Sequence, residues 1–142
     1  MTAPRHLVVA VGNTLRRDDG AGPAAAEGLS APGMRVVVVH QLAPELAEEV
    51  AAADAVVFLD ARAGPRAGAV ELRRIEPAAA ASALGHAFSP EEVLALAALL
   101  HGARPPAALA TVQAADLGLG EGLSPEVAAA LPALRDAAER FL

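Results

Sequence analysis

At 142 residues the chain has room for one domain with one hydrophobic core. A net charge of −6 and an aromatic content of 2% argue against a phosphate-backbone binder and a base-stacking platform for single-stranded nucleic acid. All 11 cations are Arg and Cys is absent, which excludes Schiff-base, phosphate-loop lysine, thiol and thiolate-metal chemistry.

Leu7 to Val11 is a short apolar run closed by Gly12 and reads as a buried parallel strand. A polar, glycine-bearing stretch over residues 13–22 leads into a helix from Pro23 to Leu29, with Asp18 or Asp19 as candidate caps. Arg35 to Val39 reads as a second buried strand, placed beside the first and third. Pro44 to Ala52 reads as a helix whose capping position, Ala43, cannot cap. Ala55 to Leu59 is a third strand ending at Asp60. Ala69 to Ile75 alternates apolar and polar residues, as a half-exposed edge strand does. Ser89-Pro90-Glu91-Glu92 is a capping box, and the helix it starts should end at His101-Gly102. Ala107 to Val112 is the last strand. Ser124-Pro125-Glu126 starts the last helix, which Pro132 should break or kink at Leu131.

Strands alternating with helices in this order predict an α/β fold: a single-domain, three-layer sandwich over residues 1–142. Its sheet is twisted, mostly parallel and of about five strands, with helices on both faces and one antiparallel edge strand. Apolar runs such as Val93 to Leu100 are too short to span a membrane, and the segment at Leu7 to Val11 is no leader peptide. A cytoplasmic monomer without membrane insertion is expected.

Ligands of such sheets sit at the carboxyl ends of the parallel strands. The polar residues there are Asn13, Asp18 and Asp19 after strand one, His40 and Gln41 after strand two, and Asp60 after strand three. His86 lies before the Ser89 helix. Two carboxylates and a histidine converging there would make a divalent-metal site or an acid/base set. Each also has a plainer use. Asp60 can cap a turn, Asp18 and Asp19 can neutralise a helix N-terminus, His40 can be a buried hydrogen-bonded residue, and His86 can be a loop residue. The glycines of 12–22 match neither the dinucleotide fingerprint nor the phosphate loop, and no serine elbow is present.

The run from Gly12 to Gly22, Gly-Asn-Thr-Leu-Arg-Arg-Asp-Asp-Gly-Ala-Gly, resembles the G-N-x-L-x-x-D-(D/E)-G-x-G signature that opens the nickel-iron hydrogenase maturation endopeptidases. Val56 to Ala61 resembles their third strand. Gly85-His86 resembles the residues before their next helix, and Gly120 to Pro125 their C-terminal G-x-G-L-S loop. His40-Gln41-Leu42 departs from the Gly-Thr-type loop of the best-known members. The resemblance implies an endopeptidase that removes a C-terminal extension from a nickel-loaded hydrogenase large-subunit precursor. It further implies Asp19, Asp60 and His86 as the catalytic and metal-contacting trio. Nickel would be brought by the substrate, with other divalent metals possible in vitro. Asn13, Asp18, His40 and Gln41 are expected to bind substrate or support the loop. The alternative is a nickel-sensing chaperone or docking module on the same fold, without proteolysis.

Overall fold

The computed structural model describes residues 4–79 and 88–142. Five strands form one sheet: β1 His6–Val11, β2 Met34–Val39, β3 Ala55–Ala63, β4 Val70–Ile75 and β5 Ala107–Ala114. The helices are α1 Ala21–Ala26, α2 Leu46–Ala51, α3 Pro90–His101 and α4 Pro125–Phe141, and a 3-10 turn at Arg17–Gly20 precedes α1. The strand order is β2-β1-β3-β5-β4. All neighbours are parallel except β4, which runs antiparallel to β5 at one edge. The α/β sandwich expected from the alternation of elements is therefore present.

Side-chain alternation divides the core into two layers. Val8, Ala10, Val57, Leu59, Ala108 and Ala110 face α1 and α4. Leu7, Val9, Val56, Phe58 and Ala107 face α2 and α3. Each central strand is thus apolar on both faces, which is why β1, β3 and β5 read as near-continuous apolar runs.

Three expectations need correction. β2 is not a central buried strand. It is the outer edge, pairs with β1 alone, and leaves Val38 55% exposed. The chain leaves β1 for β2 on one side and, two elements later, enters β3 on the other side of β1. Val36 to Val39 alone cannot distinguish an edge from a centre. Second, Pro132 does not break α4, which continues to Phe141. Pro132 lacks the N–H that would bond the Ala128 carbonyl. Ala128 is solvent-exposed, so water can hydrate that carbonyl, while Val127, Ala130, Leu134, Ala137 and Ala138 hold the helix to the sheet. Third, neither Asp18 nor Asp19 caps α1, whose first residue follows Gly20 without a side-chain cap.

The capping box at α3 forms as read. Ser89 Oγ accepts from the Glu92 N–H at 3.1 Å, and Glu92 Oε1 accepts from the Ser89 N–H at 3.0 Å. Gly102 closes the helix in the left-handed region at φ 66°. Among the described residues no helix is long and apolar enough to cross a membrane.

Pro132→Ala restores the missing donor at a position open to solvent. It should raise the unfolding free energy by about 1–3 kcal/mol in urea titrations.

Candidate active site

The carboxyl ends of β1, β2, β3 and β5 meet at one edge of the sheet. Connections leave β1 in opposite directions, to β2 through α1 and, from β2, over the sheet to β3 through α2. The β1–β3 boundary is therefore the topological switch point, where an open parallel sheet leaves a crevice. A cleft of about 380 Å³ occupies this edge. Asp19 enters it from the turn after β1, and Asp60 from β3 itself. His40, Gln41 and Leu42 line it from the loop after β2, and Phe88, Ser89 and Pro90 from the start of α3.

The turn after β1 is set by short local bonds. Gly12 donates to the Val39 carbonyl at 2.9 Å and turns the chain at φ 155°. A Cβ there would collide with the Asp19 carbonyl oxygen, so only glycine lets the turn fold this tightly. Asn13 Oδ1 accepts from the Leu15 N–H at 2.9 Å, an Asx-type turn. The Asn13 N–H in turn donates to Asp19 Oδ2 at 2.7 Å. Asn13 therefore orients Asp19 through its backbone and shapes the loop through its side chain.

Asp18 points the other way. It is fully buried, with 0% exposure, and accepts four hydrogen bonds. Oδ2 takes the N–H groups of Ala115 and Asp116 at 2.8 and 2.9 Å and the Ser124 hydroxyl at 2.9 Å, and Oδ1 takes the Ser124 N–H at 2.7 Å. Burial pushes this carboxyl up, but the bonds from Ser124, Asp116 and Ala115 together outweigh it and hold the group below the ordinary carboxylate value. Around it the two loops are laced together. Asp18 N–H donates to the Asp116 carbonyl at 3.0 Å, Arg17 N–H to Gly120 at 2.9 Å and Gly120 N–H to Leu15 at 2.9 Å. Arg17 is held at φ 45°, a left-handed conformation unusual for arginine, beside an ion pair from its Nε to Asp116 at 3.4 Å. Ser124 reads in the sequence only as a helix cap. Its second use, donating to Asp18, is a contact across 106 residues that no local pattern encodes.

Asp60 lies within β3, not after it, opposite Thr111 of β5. Its Oδ1 accepts from the Ala61 N–H at 2.8 Å. Burial at the floor of the cleft, with a further push from the Asp19 charge, raises its pKa to about 7 against the opposing Ala61 bond. A carboxyl with that value can hold or release a proton near neutrality.

Of the seven sequence candidates, Asp19, Asp60, His40 and Gln41 line the same cleft. Asn13 and Asp18 stand behind it, in the turn that carries Asp19. His86 lies outside the described residues. Among the described residues no group of three His, Asp or Glu side chains could hold a metal ion. The two carboxylates together offer oxygen donors only. Ser89 and Pro90 were legible as a helix start but not as a wall of the cleft, which Phe88 completes.

No family model matches the chain, and no curated protein matches it. Solved structures do. NiFe hydrogenase maturation protease HybD from Thermococcus kodakarensis superposes with a TM-score of 0.76 at 25% identity, over 96% of this chain and 98% of that one. The chain has the fold of the hydrogenase maturation proteases. A hydrogenase 2 maturation peptidase from Thaumarchaeota archaeon SCGC_AB-539-E09 matches at 25% identity with a TM-score of 0.70, over 96% of each chain. The hydrogenase maturating endopeptidase HybD from E. coli matches at 22% identity with a TM-score of 0.75, over 93% of this chain and 88% of that one.

Two stability measurements check the electrostatics. The Asp18 contribution is present above the unfolded value of 3.8 and is lost as pH falls through its lower folded value. Asp18→Asn places an amide against four donors and should cost on the order of 3 kcal/mol at pH 6, with the difference shrinking toward pH 3. Asp60 acts in the opposite sense. Its folded pKa of about 7 lies above the unfolded 3.8, so native stability falls as pH rises between the two. Asp60→Asn should therefore be more stable than the parent at pH 8, by up to about 4 kcal/mol, and indistinguishable below pH 4.

Proposed function

We propose that the chain is an endopeptidase that removes the C-terminal extension of a nickel-loaded hydrogenase large-subunit precursor in the cytoplasm. The observation that carries this reading is the pair Asp19 and Asp60 facing one cleft at the switch point of the sheet. The names of the similar solved structures, maturation proteases and endopeptidases of hydrogenase, support the same reaction class. The chain has no Cys and no serine elbow, so an activated water is the natural nucleophile.

Each carboxylate keeps one oxygen without a hydrogen-bond partner among the described residues: Asp19 Oδ1 and Asp60 Oδ2. Two free carboxylate oxygens, with His86 as the third member, suit a divalent cation that arrives with ligands of its own. Nickel held by the precursor is such a cation and is here part of the substrate. When bound, a divalent ion lowers the pKa of a coordinated water and polarises a carbonyl. Asp60, at the floor of the cleft, takes a proton from the attacking water and returns it to the leaving amine. Asp19, fixed by the Asn13 N–H, orients the nickel-bearing end of the substrate. His40 and Gln41 contact the peptide from the β2 side of the cleft, without being obligatory for the chemistry.

The test is mass spectrometry of a nickel-loaded precursor incubated with this protein. Asp19→Asn, Asp60→Asn and His86→Ala should each lower the cleavage rate at least about a hundredfold, the range of a lost general acid or base. His40→Ala should weaken precursor binding more than turnover. An intact precursor after incubation with the parent chain would refute the endopeptidase reading. Parental cleavage by His86→Ala would leave the two carboxylates as the whole site.

A further inference from the structure

β3 continues past Asp60 through Ala61, Arg62 and Ala63, still paired with β5. Val56 and Phe58 face α2 and α3, and Val57 and Leu59 the opposite side. By the same alternation Asp60 and Arg62 share a face, about 7 Å apart along the strand. Next to the main cleft on this face is a second cavity of about 240 Å³, lined by Arg62, Arg66, Glu71, Thr111 and Gln113. Thr111 is the register partner of Asp60, and Gln113 that of Arg62. The two cavities are therefore lined by successive residues of β3 and by their register partners on β5.

It is a built surface. Gln113 Oε1 accepts the Arg66 N–H at 2.8 Å, the Gln113 carbonyl accepts the Gly68 N–H at 2.8 Å, and the Gln113 N–H donates to Ala69 at 2.9 Å. The Gln113 side chain packs directly against Gly64, where a Cβ would displace its Oε1. Two cations line this one cavity with little counter-charge. Among the described residues the Arg66 guanidinium has no ion pair or hydrogen bond. Arg62 meets only Glu71, at 3.9 Å and in the open, a pair of little energetic worth.

We propose that Arg62 and Arg66 form a subsite for a carboxylate of the substrate peptide, one or two residues from the bond presented to Asp60. The proposal rests on the endopeptidase reading. Asp19 and Asp60 repel an anionic side chain from the cleft itself, while the two guanidinium groups beside it match a carboxylate in charge and fork geometry. The carboxylate is either an Asp or Glu side chain or the free end of the peptide.

The subsite is tested without cleavage, on the full chain alone, by following the Arg Nε–H resonances in NMR titrations at low salt. Three synthetic hexapeptides serve as probes: Gly-Ala-Ala-Glu-Ala-Ala amide, its Gln counterpart as amide, and the Gln peptide as free acid. At least one acidic peptide should bind about tenfold or more tighter than the neutral amide. Arg62→Ala and Arg66→Ala should each remove about tenfold of that affinity. Glu71→Gln removes a competing carboxylate and should tighten binding several-fold, a gain that misfolding cannot mimic. Preference for the Glu amide assigns a side chain, and preference for the free acid assigns the chain end. Equal binding of all three peptides, or affinity unchanged in the double arginine variant, overturns the subsite. Loss of precursor cleavage with intact binding of an acidic peptide would count against the endopeptidase reading alone.

Discussion

The Asp18 carboxylate turns two distant stretches of chain into one surface. Residues 13–20 follow the first strand and residues 115–124 the last, and neither has a core of its own. Four donors on a fully buried carboxylate, from Ala115, Asp116 and both groups of Ser124, tie them together. A buried charge is stabilising only when its lone pairs are met, and here they are. The next residue in the chain, Asp19, is consequently turned outward into the cleft. Adjacent aspartates thus point opposite ways, one anchoring inward and one lining the cleft.

The sheet supplies the other half of the arrangement. Because β1 lies between β2 and β3, the turn after β1 opens beside the strand that carries Asp60. The α1–α4 and α2–α3 layers seal the two faces and leave the carboxyl edge as the open one. Asp60 sits where the strand leaves the buried core, deep enough to be desolvated and close enough to Asp19 to feel its charge. The same strand then carries Arg62 beyond it, so one β-strand sets both an acidic cleft and a basic neighbour at a fixed spacing.

Much of this was legible in the sequence. Periodicity alone gave the alternating order of strands and helices, since Val56 to Leu59 and Val8 to Val11 are apolar on both faces only in a covered parallel sheet. The Ser89 and Ser124 caps could be read because capping is local. Edge position was not legible: β2 carries four valines in succession yet lies outermost, since strand order depends on crossover direction and not on composition. Pro132 misled because the propensity cost of one proline is outweighed by five buried contacts along α4. Of the site, the signature turn located Asp19 and the strand end located Asp60. What Asp18 does was hidden, since all four of its bonds reach residues 97 to 106 positions away.

Asp19 and Asp60 share one cleft, and burial acts on Asp60 at its floor. Carbon-13 NMR titration of the side-chain carboxyls, in the parent chain and in Asp19→Asn, measures that sharing directly. Asp60 should titrate near 7 in the parent, since burial and then the Asp19 charge raise it, and lower in Asp19→Asn, where only burial remains against the Ala61 bond. An Asp60 that titrates near the ordinary value of 3.8, or that is indifferent to Asp19, would contradict a shared site.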